Sequence, residues 1–309
     1  MLKTHLKIVI ILTLFLSCKE KTANKVSRKR NYIDNIKTEK QINDLISRIE
    51  NNCYEIHVND TLKYRNKYWQ HLSDSLKVKP WAKADFDKNG LTDILVTSPS
   101  SYNYPIICIL DKGNGYQIKR ITRYVFQYCT LPVVSNDKIK YYFESKEDPD
   151  KWFEPSYLKQ ITLTYQFGDF IEENLNPANH KIEKIQYLTT GCYGSCPIFK
   201  LTINSDKSAT WEAKRYNNID NNEVTGNLIT KVSDDKFNEI IDLLNYINFE
   251  TLKDKYAVNW TDDQASILEI TYDNGKVKKI YDYGLIGTFG LDRVYQLLFE
   301  LRENQKWTK

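Results

Sequence analysis

The 309-residue chain has 44 Lys and Arg against 40 Asp and Glu, a formal charge of +4, which is too small to imply a nucleic-acid partner. Eleven Gly and eight Pro exclude collagen-like and Pro/Gly-rich disordered classes, and the length suggests about two domains. No apolar run reaches the ~18–20 residues of a membrane-spanning helix, while 22 Tyr beside 12 Phe and 6 Trp favour a sheet-rich fold.

Residues 1–17 combine Lys3, His5 and Lys7 with a short apolar stretch at 8–16, the pattern of a secretory signal. The ending Phe15-Leu16-Ser17-Cys18 resembles the bacterial lipobox, although its Leu sits one place late. That resemblance implies cleavage before Cys18, lipidation of its thiol, and a protein anchored to the cell envelope. The expected location is the outer membrane, facing the periplasm or the cell surface. A multiply acylated Cys holds firmly where a single chain binds only marginally. Residues 18–31 are polar and read as a solvated tether.

Residues 32–180 are expected to form a sheet-rich domain. The spacing of Ile42, Leu45, Ile46 and Ile49 predicts a helix over 38–50, opened by a Thr38/Gln41 capping box. Strands are expected at 54–58, 94–97, 106–110, 116–121, 139–143 and 161–167, with 144–157 as a surface loop. Within this half, Asp85-Phe86-Asp87-Lys88-Asn89-Gly90-Leu91-Thr92-Asp93 resembles the loop of FG-GAP or VCBS-type repeats over residues 81–121. Asp85, Asp87, Asn89 and Asp93 alternate around a glycine, and the Leu91 carbonyl could add a fifth oxygen, a donor set suited to Ca²⁺. The alternative is a polar turn entering a strand. One clear repeat does not make a propeller, which needs at least ~four blades.

Polar residues 174–180, broken by Pro177, mark the expected boundary with a domain at 181–309. Strands are expected at 185–188, 198–203, 209–216 and 228–232, then a helix capped by Ser233 with Phe237, Ile240, Ile241, Leu244 and Ile247 on one face. A hairpin over 267–283 turns at Asp273-Asn274-Gly275, and Leu291, Val294, Tyr295, Leu298 and Leu301 define a last helix. Four strands, helix, two strands, helix is an α+β pattern, with both helices on one sheet face as the simplest packing.

Five cysteines remain after Cys18. Cys192 and Cys196 flank Tyr193-Gly194-Ser195 and suit a small structural disulfide in an oxidising compartment. Free thiols, a redox pair or a metal site are the other readings. Cys108 lies in an apolar run and reads as core. Residues 183–302 resemble an uncharacterised domain of bacterial envelope proteins. The resemblance rests on Gly191-Cys192-Tyr193-Gly194-Ser195-Cys196-Pro197, Thr261-Asp262 and Asp282-Tyr283-Gly284, and it implies no reaction. No G-x-S-x-G, H-E-x-x-H, Walker or G-x-G-x-x-G pattern occurs. The expected function is therefore a non-enzymatic binding or assembly module for a protein or glycan partner. The alternative is an envelope enzyme using Asp262 or Asp263 with His180 and the Cys192–Cys196 loop.

Overall fold

The computed structural model describes residues 31–49, 56–98, 105–123, 130–145 and 157–309. The expected signal and Cys18, most of the tether, Cys53, Cys129 and most of the expected loop at 144–157 lie outside them. The first helix, α1 (Glu39–Ile49), starts at the expected capping box. Gln41 N–H donates to Thr38 Oγ1 (3.4 Å) and Thr38 N–H to Gln41 Oε1 (3.2 Å). Its Ile42, Leu45 and Ile46 are buried.

Residues 56–58 are not the expected strand. Ile56 and Val58 are buried in the same core, but side chains satisfy the main chain here. Asn43 brackets Val58 through both N–H (2.9 Å) and C=O (3.0 Å), and His57 N–H donates to Ser98 Oγ (2.8 Å). A segment satisfied in this way needs no ladder. A second helix, α2 (Lys67–Leu76), was not legible in the sequence. Its apolar face is little more than Trp69, Leu72 and Leu76, and Asn66 caps it by accepting from Tyr68 N–H (2.8 Å).

Two four-stranded antiparallel meanders follow. The first runs β1 (Trp81–Ala84), β2 (Asp93–Thr97), β3 (Ile106–Asp111) and β4 (Tyr116–Arg120). The second runs β5 (Thr130–Ser135), β6 (Lys138–Ser145), β7 (Tyr157–Gln166) and β8 (Asp169–Glu172). Strands β2 and β3 are buried along their whole length, as strands covered on both faces must be. On one side α1 packs on Ile94, Val96, Ile107 and Ile109. On the other, Leu95, Cys108 and Leu110 meet Ile139, Tyr141 and Leu163 of the second meander. Cys108 is a buried free thiol in that core.

The last part is one sheet under two helices. Its strands are β9 (Ile182–Thr189), β10 (Ile198–Asn204), β11 (Ser208–Arg215), β14 (Gly226–Lys231), β15 (Lys255–Ala257), β16 (Ala265–Tyr272) and β17 (Lys276–Tyr283). A short hairpin, β12 (Asn218–Ile219) with β13 (Asn222–Glu223), projects between β11 and β14. The order is β14-β11-β10-β9-β16-β17-β15, antiparallel except for β15 on β17. Helices α3 (Asp234–Tyr246) and α4 (Phe289–Asn304) share one hydrophobic core with the sheet, as the α+β pattern predicts. They approach closely at Gly290, where an added Cβ would lie 2.4 Å from Ile247 Cγ2. Asp273, Asn274 and Gly275 take the left-handed backbone of the hairpin turn (φ 44, 67 and 88°). The expected Ser233 cap differs: Ser233 holds the N-cap position but its side chain makes no cap bond, and its N–H donates to Gln305 Oε1 (3.0 Å).

The boundary segment is tied down. Asn174 N–H donates to Tyr246 Oη (2.9 Å), Ala178 N–H to Asn248 Oδ1 (2.8 Å) and His180 N–H to Asn245 Oδ1 (2.8 Å). Glu172 of β8 then caps α4, accepting from the N–H groups of Phe289 (2.8 Å) and Gly290 (2.9 Å). A carboxylate suits that position because the first N–H groups of a helix have no intrahelical partner. Among the described residues, no helix is long and apolar enough to cross a membrane.

Candidate functional site

Two loops hold the residues singled out by sequence. The first joins β1 to β2. Phe86 anchors it in the core, edge-on to Phe170 (5.5 Å), and the chain turns back through left-handed Lys88 and Gly90 (φ 58 and 87°). The acidic side chains knit the turn: Asp85 Oδ2 accepts Gly90 N–H (3.0 Å) and Asp87 Oδ1 accepts Asn89 N–H (3.3 Å). Asp93 accepts Phe86 N–H and Asp111 N–H, both at 2.8 Å.

One oxygen from each of Asp85, Asp87 and Asp93 lies within 4.8 Å of the others. Burial pushes the Asp93 carboxyl up to about 7, and the charges of Asp87 and Asp85 add to that rise against its two N–H bonds. Asp85 Oδ1 is buried with no hydrogen-bond partner. An orphaned buried oxygen beside two further carboxylates is a donor set a hard cation would complete. The Lys112 ammonium, 2.6 Å from Asp87 Oδ2, offsets part of this charge. Asn89 is turned differently from the expected ligand arrangement. Its Oδ1 accepts Leu91 N–H (2.8 Å) and its Nδ2 donates to Asp111 O (2.6 Å). The three aspartates bring one oxygen each into range of a common cation, but Lys112 already sits on Asp87 and Asn89 would have to reorient.

The second loop, residues 190–197, joins β9 to β10. Cys192 and Cys196 are disulfide-bonded, with Cα atoms 5.7 Å apart. Both ends of the loop are fixed from the segment before β16. Gln264 Nε2 donates to Thr190 O and to Pro197 O, each at 2.9 Å, and Thr190 exchanges bonds with the main chain of Ala265. Tyr193 N–H donates to Asp262 O (2.9 Å), and Asp262 stands in left-handed backbone (φ 71°) with Thr261 Oγ1 on its Oδ2 (3.3 Å). Trp260 Nε1 donates to Asp263 Oδ2 (3.0 Å), and Tyr283 Oη accepts Asp263 N–H (3.1 Å). The Tyr193 side chain is left 89% exposed at the tip.

The third quoted segment supports this arrangement from below. Asp282 is fully buried and accepts the N–H groups of Ile286 and Gly287, both at 2.9 Å. Burial raises its pKa against those two bonds. A side chain at Gly287 would put Cβ 2.7 Å from Asp282 Oδ2, and one at Gly284 would strike Val258 at 2.5 Å. Arg123, beyond β4, donates to Leu285 O (3.0 Å) and to Gly287 O, and lies over the Phe289 ring. Tyr283 stood in the Asp282-Tyr283-Gly284 segment, whereas Gln264 and Trp260 were not singled out by sequence. The only signal for those two was nearness to Thr261-Asp262.

Of the alternative catalytic grouping, Asp262 lies against the Cys192–Cys196 loop, but His180 does not join them. His180 lies beside the β16–β17 turn, its Nδ1 2.6 Å from Asp273 Oδ2 and its Nε2 3.4 Å from Glu250 Oε2. Asp262 and Asp263 precede the other end of β16, about 25 Å away at the rise of an extended strand.

The fold thus defines a protein of two β-meanders followed by a two-layer α+β domain carrying a disulfide-pinned loop. Residues 183–302 of that last part match a family described as a domain of unknown function, DUF6438. No curated protein and no solved structure matches the chain.

Proposed function

We propose that the chain is a lipid-anchored cell-envelope protein, held at the outer membrane through Cys18, that binds a protein or glycan partner without catalysing a reaction. The observation that carries the binding role is Tyr193. It stands almost fully exposed on a loop closed by a disulfide and hydrogen-bonded along both ends. A tyrosine held in this way offers a large contact area with little entropy left to lose. Trp260, Thr261 and Asp262 form the adjoining surface. The anchor rests on the signal and lipobox-like ending of residues 1–18.

The β1–β2 loop binds Ca²⁺ through Asp85, Asp87 and Asp93, with Asn89 and the Leu91 carbonyl completing the shell after a local turn of the amide. The ion is structural in this reading. It neutralises three clustered carboxylates and ties β1 to β2.

The test is affinity capture of the full-length chain after cross-linking in its own cells, beside Tyr193→Ser. One partner recovered in proportion to the wild type and lost with the variant agrees with the proposal. Equal recovery with both chains, or a lone monomer, contradicts it.

A further inference from the structure

A different site lies in the N-terminal half, between the free edges of the two meanders. β1 is the outer strand of the first sheet and β5 that of the second. A cleft of about 610 Å³ runs along β1 with β5 as its far wall.

The hydrogen-bond register decides which main-chain groups face that cleft. Thr97 N–H donates to Pro80 O (2.8 Å), and Trp81 to Ala84 pair in order with Val96 to Asp93. Alternate residues of an antiparallel pair share their bonds, so Ala82 and Ala84 face β2. The N–H and C=O groups of Trp81 and Lys83 therefore face outward, and among the described residues they have no partner. Asp85 has the same parity, and its outward N–H is taken by Asp137 Oδ1 (3.2 Å) on the β5–β6 turn. That contact closes the cleft at one end.

The opposite wall has fewer main-chain donors. Asn136 and Asp137 form a two-residue hairpin turn, both left-handed (φ 52 and 58°), with Ser135 opposite Lys138. Counting back, Val133 and Leu131 face β6, and Pro132 and Val134 face the cleft. Pro132 has no N–H to offer, a common guard on an edge strand. One added strand can therefore pair with β1 through the Trp81 and Lys83 main chain, while β5 offers on its side one N–H, that of Val134, beside the Pro132 and Val134 carbonyls.

Charge narrows the choice further. Lys77, Lys79 and Lys83 line the cleft against a single acid, Asp60. The Lys83 ammonium is held by Asp34 O (3.0 Å) and Ile36 O (2.7 Å). Lys77 and Lys79 are exposed and make no ion pair among the described residues.

From this geometry we infer that the cleft beside β1 takes an extended, acidic peptide segment of another protein, added as a fifth strand to the first meander. Main-chain bonds to Trp81 and Lys83 supply affinity, and acidic side chains meet Lys77 and Lys79. Strand addition of this kind draws affinity from the main chain and specificity from alternate side chains. The site is separate from the Tyr193 loop and stands whether or not that loop binds a partner.

The probe is a fluorescein-labelled peptide, Glu-Val-Thr-Val-Glu, titrated against the full chain by fluorescence anisotropy. Two derivatives are N-methylated, one at the two valines and the other at the threonine alone. One pattern is expected to weaken binding about tenfold, because it removes strand hydrogen bonds, and the other to leave it within about twofold. The peptide with Lys in place of Glu is expected to bind more weakly than the acidic one. The order reverses for the Lys77→Glu, Lys79→Glu double variant, whose melting temperature should match the wild type because both side chains are exposed. Equal binding of both methylated forms and the parent would overturn strand addition. Failure of the acidic peptide to saturate by about 1 mM would overturn the site itself.

Discussion

Replacing Cys196 by Ser is expected to destabilise the chain by about 2 kcal/mol and to free the Tyr193 tip without unfolding the sheet. The bond spans a sequence separation of only 4, and in the loop-entropy relation so small a ring constrains the unfolded chain by about 2 kcal/mol. For a domain of this size that corresponds to a melting shift of roughly 4–8 °C. The effect is local because Gln264 still holds Thr190 and Pro197, and the main chain of Ala265 still pairs with Thr190. Only the single bond from Tyr193 N–H to Asp262 O depends on the position of the tip. Hydrogen exchange of residues 190–197 under non-reducing conditions, run beside a thermal melt, reads both effects. The expected result is a modest fall in melting temperature with faster exchange at Tyr193 and unchanged protection of β9 and β10. An unchanged melt with unchanged exchange at Tyr193 would refute the claim that the disulfide positions this loop.

Calcium at about a hundred times its dissociation constant is expected to add ~2.7 kcal/mol, raising the melt by roughly 5–10 °C over EGTA; Asp87→Ala should abolish the difference, and an equal response of variant and wild type would remove the cation from the account. His180 has its pKa raised by its hydrogen bond to Asp273, with Glu250 adding and burial opposing. A raised histidine pKa means that the stabilisation is complete below the unfolded value of about 6.5 and is lost as pH rises through the folded one. Melting temperature should therefore fall across that window in wild type more than in His180→Gln, and parallel pH profiles would contradict this. Cys18→Ser should give a chain that is unprocessed or released from the membrane fraction, as fractionation and mass spectrometry would show; processing and membrane attachment like wild type would rule out the lipid anchor.

The C-terminal half was largely legible because its elements are regular. Alternating strands, the Asp273-Asn274-Gly275 turn and the apolar faces of α3 and α4 all carry local periodicity. The N-terminal half was less so. β1 and β8 are only four residues each, and β5, six residues interrupted by Pro132, was not read as a strand. Residues 56–58 carry strand-like residues but bond to the Asn43 and Ser98 side chains, and no sequence pattern announces such distant partners. The same reason explains the candidate site. Cys192, Cys196, Thr261 and Asp262 stood out by type and spacing, whereas Gln264, which ties the loop down, is one glutamine among many until its two carbonyl partners are seen. His180 and Asp262 were grouped by chemistry alone, and the length of β16 separates them.

The central claim, that the Tyr193 loop is a partner-binding surface, is tested most directly by a photo-activated phenylalanine analogue placed at position 193 in the protein's own cells. The control carries the analogue at Leu175, which is also well exposed (79%) but lies on the boundary segment. The account predicts one discrete cross-linked species from position 193 and none of that mass from position 175. No adduct at 193, or the same adducts from both positions, would contradict it.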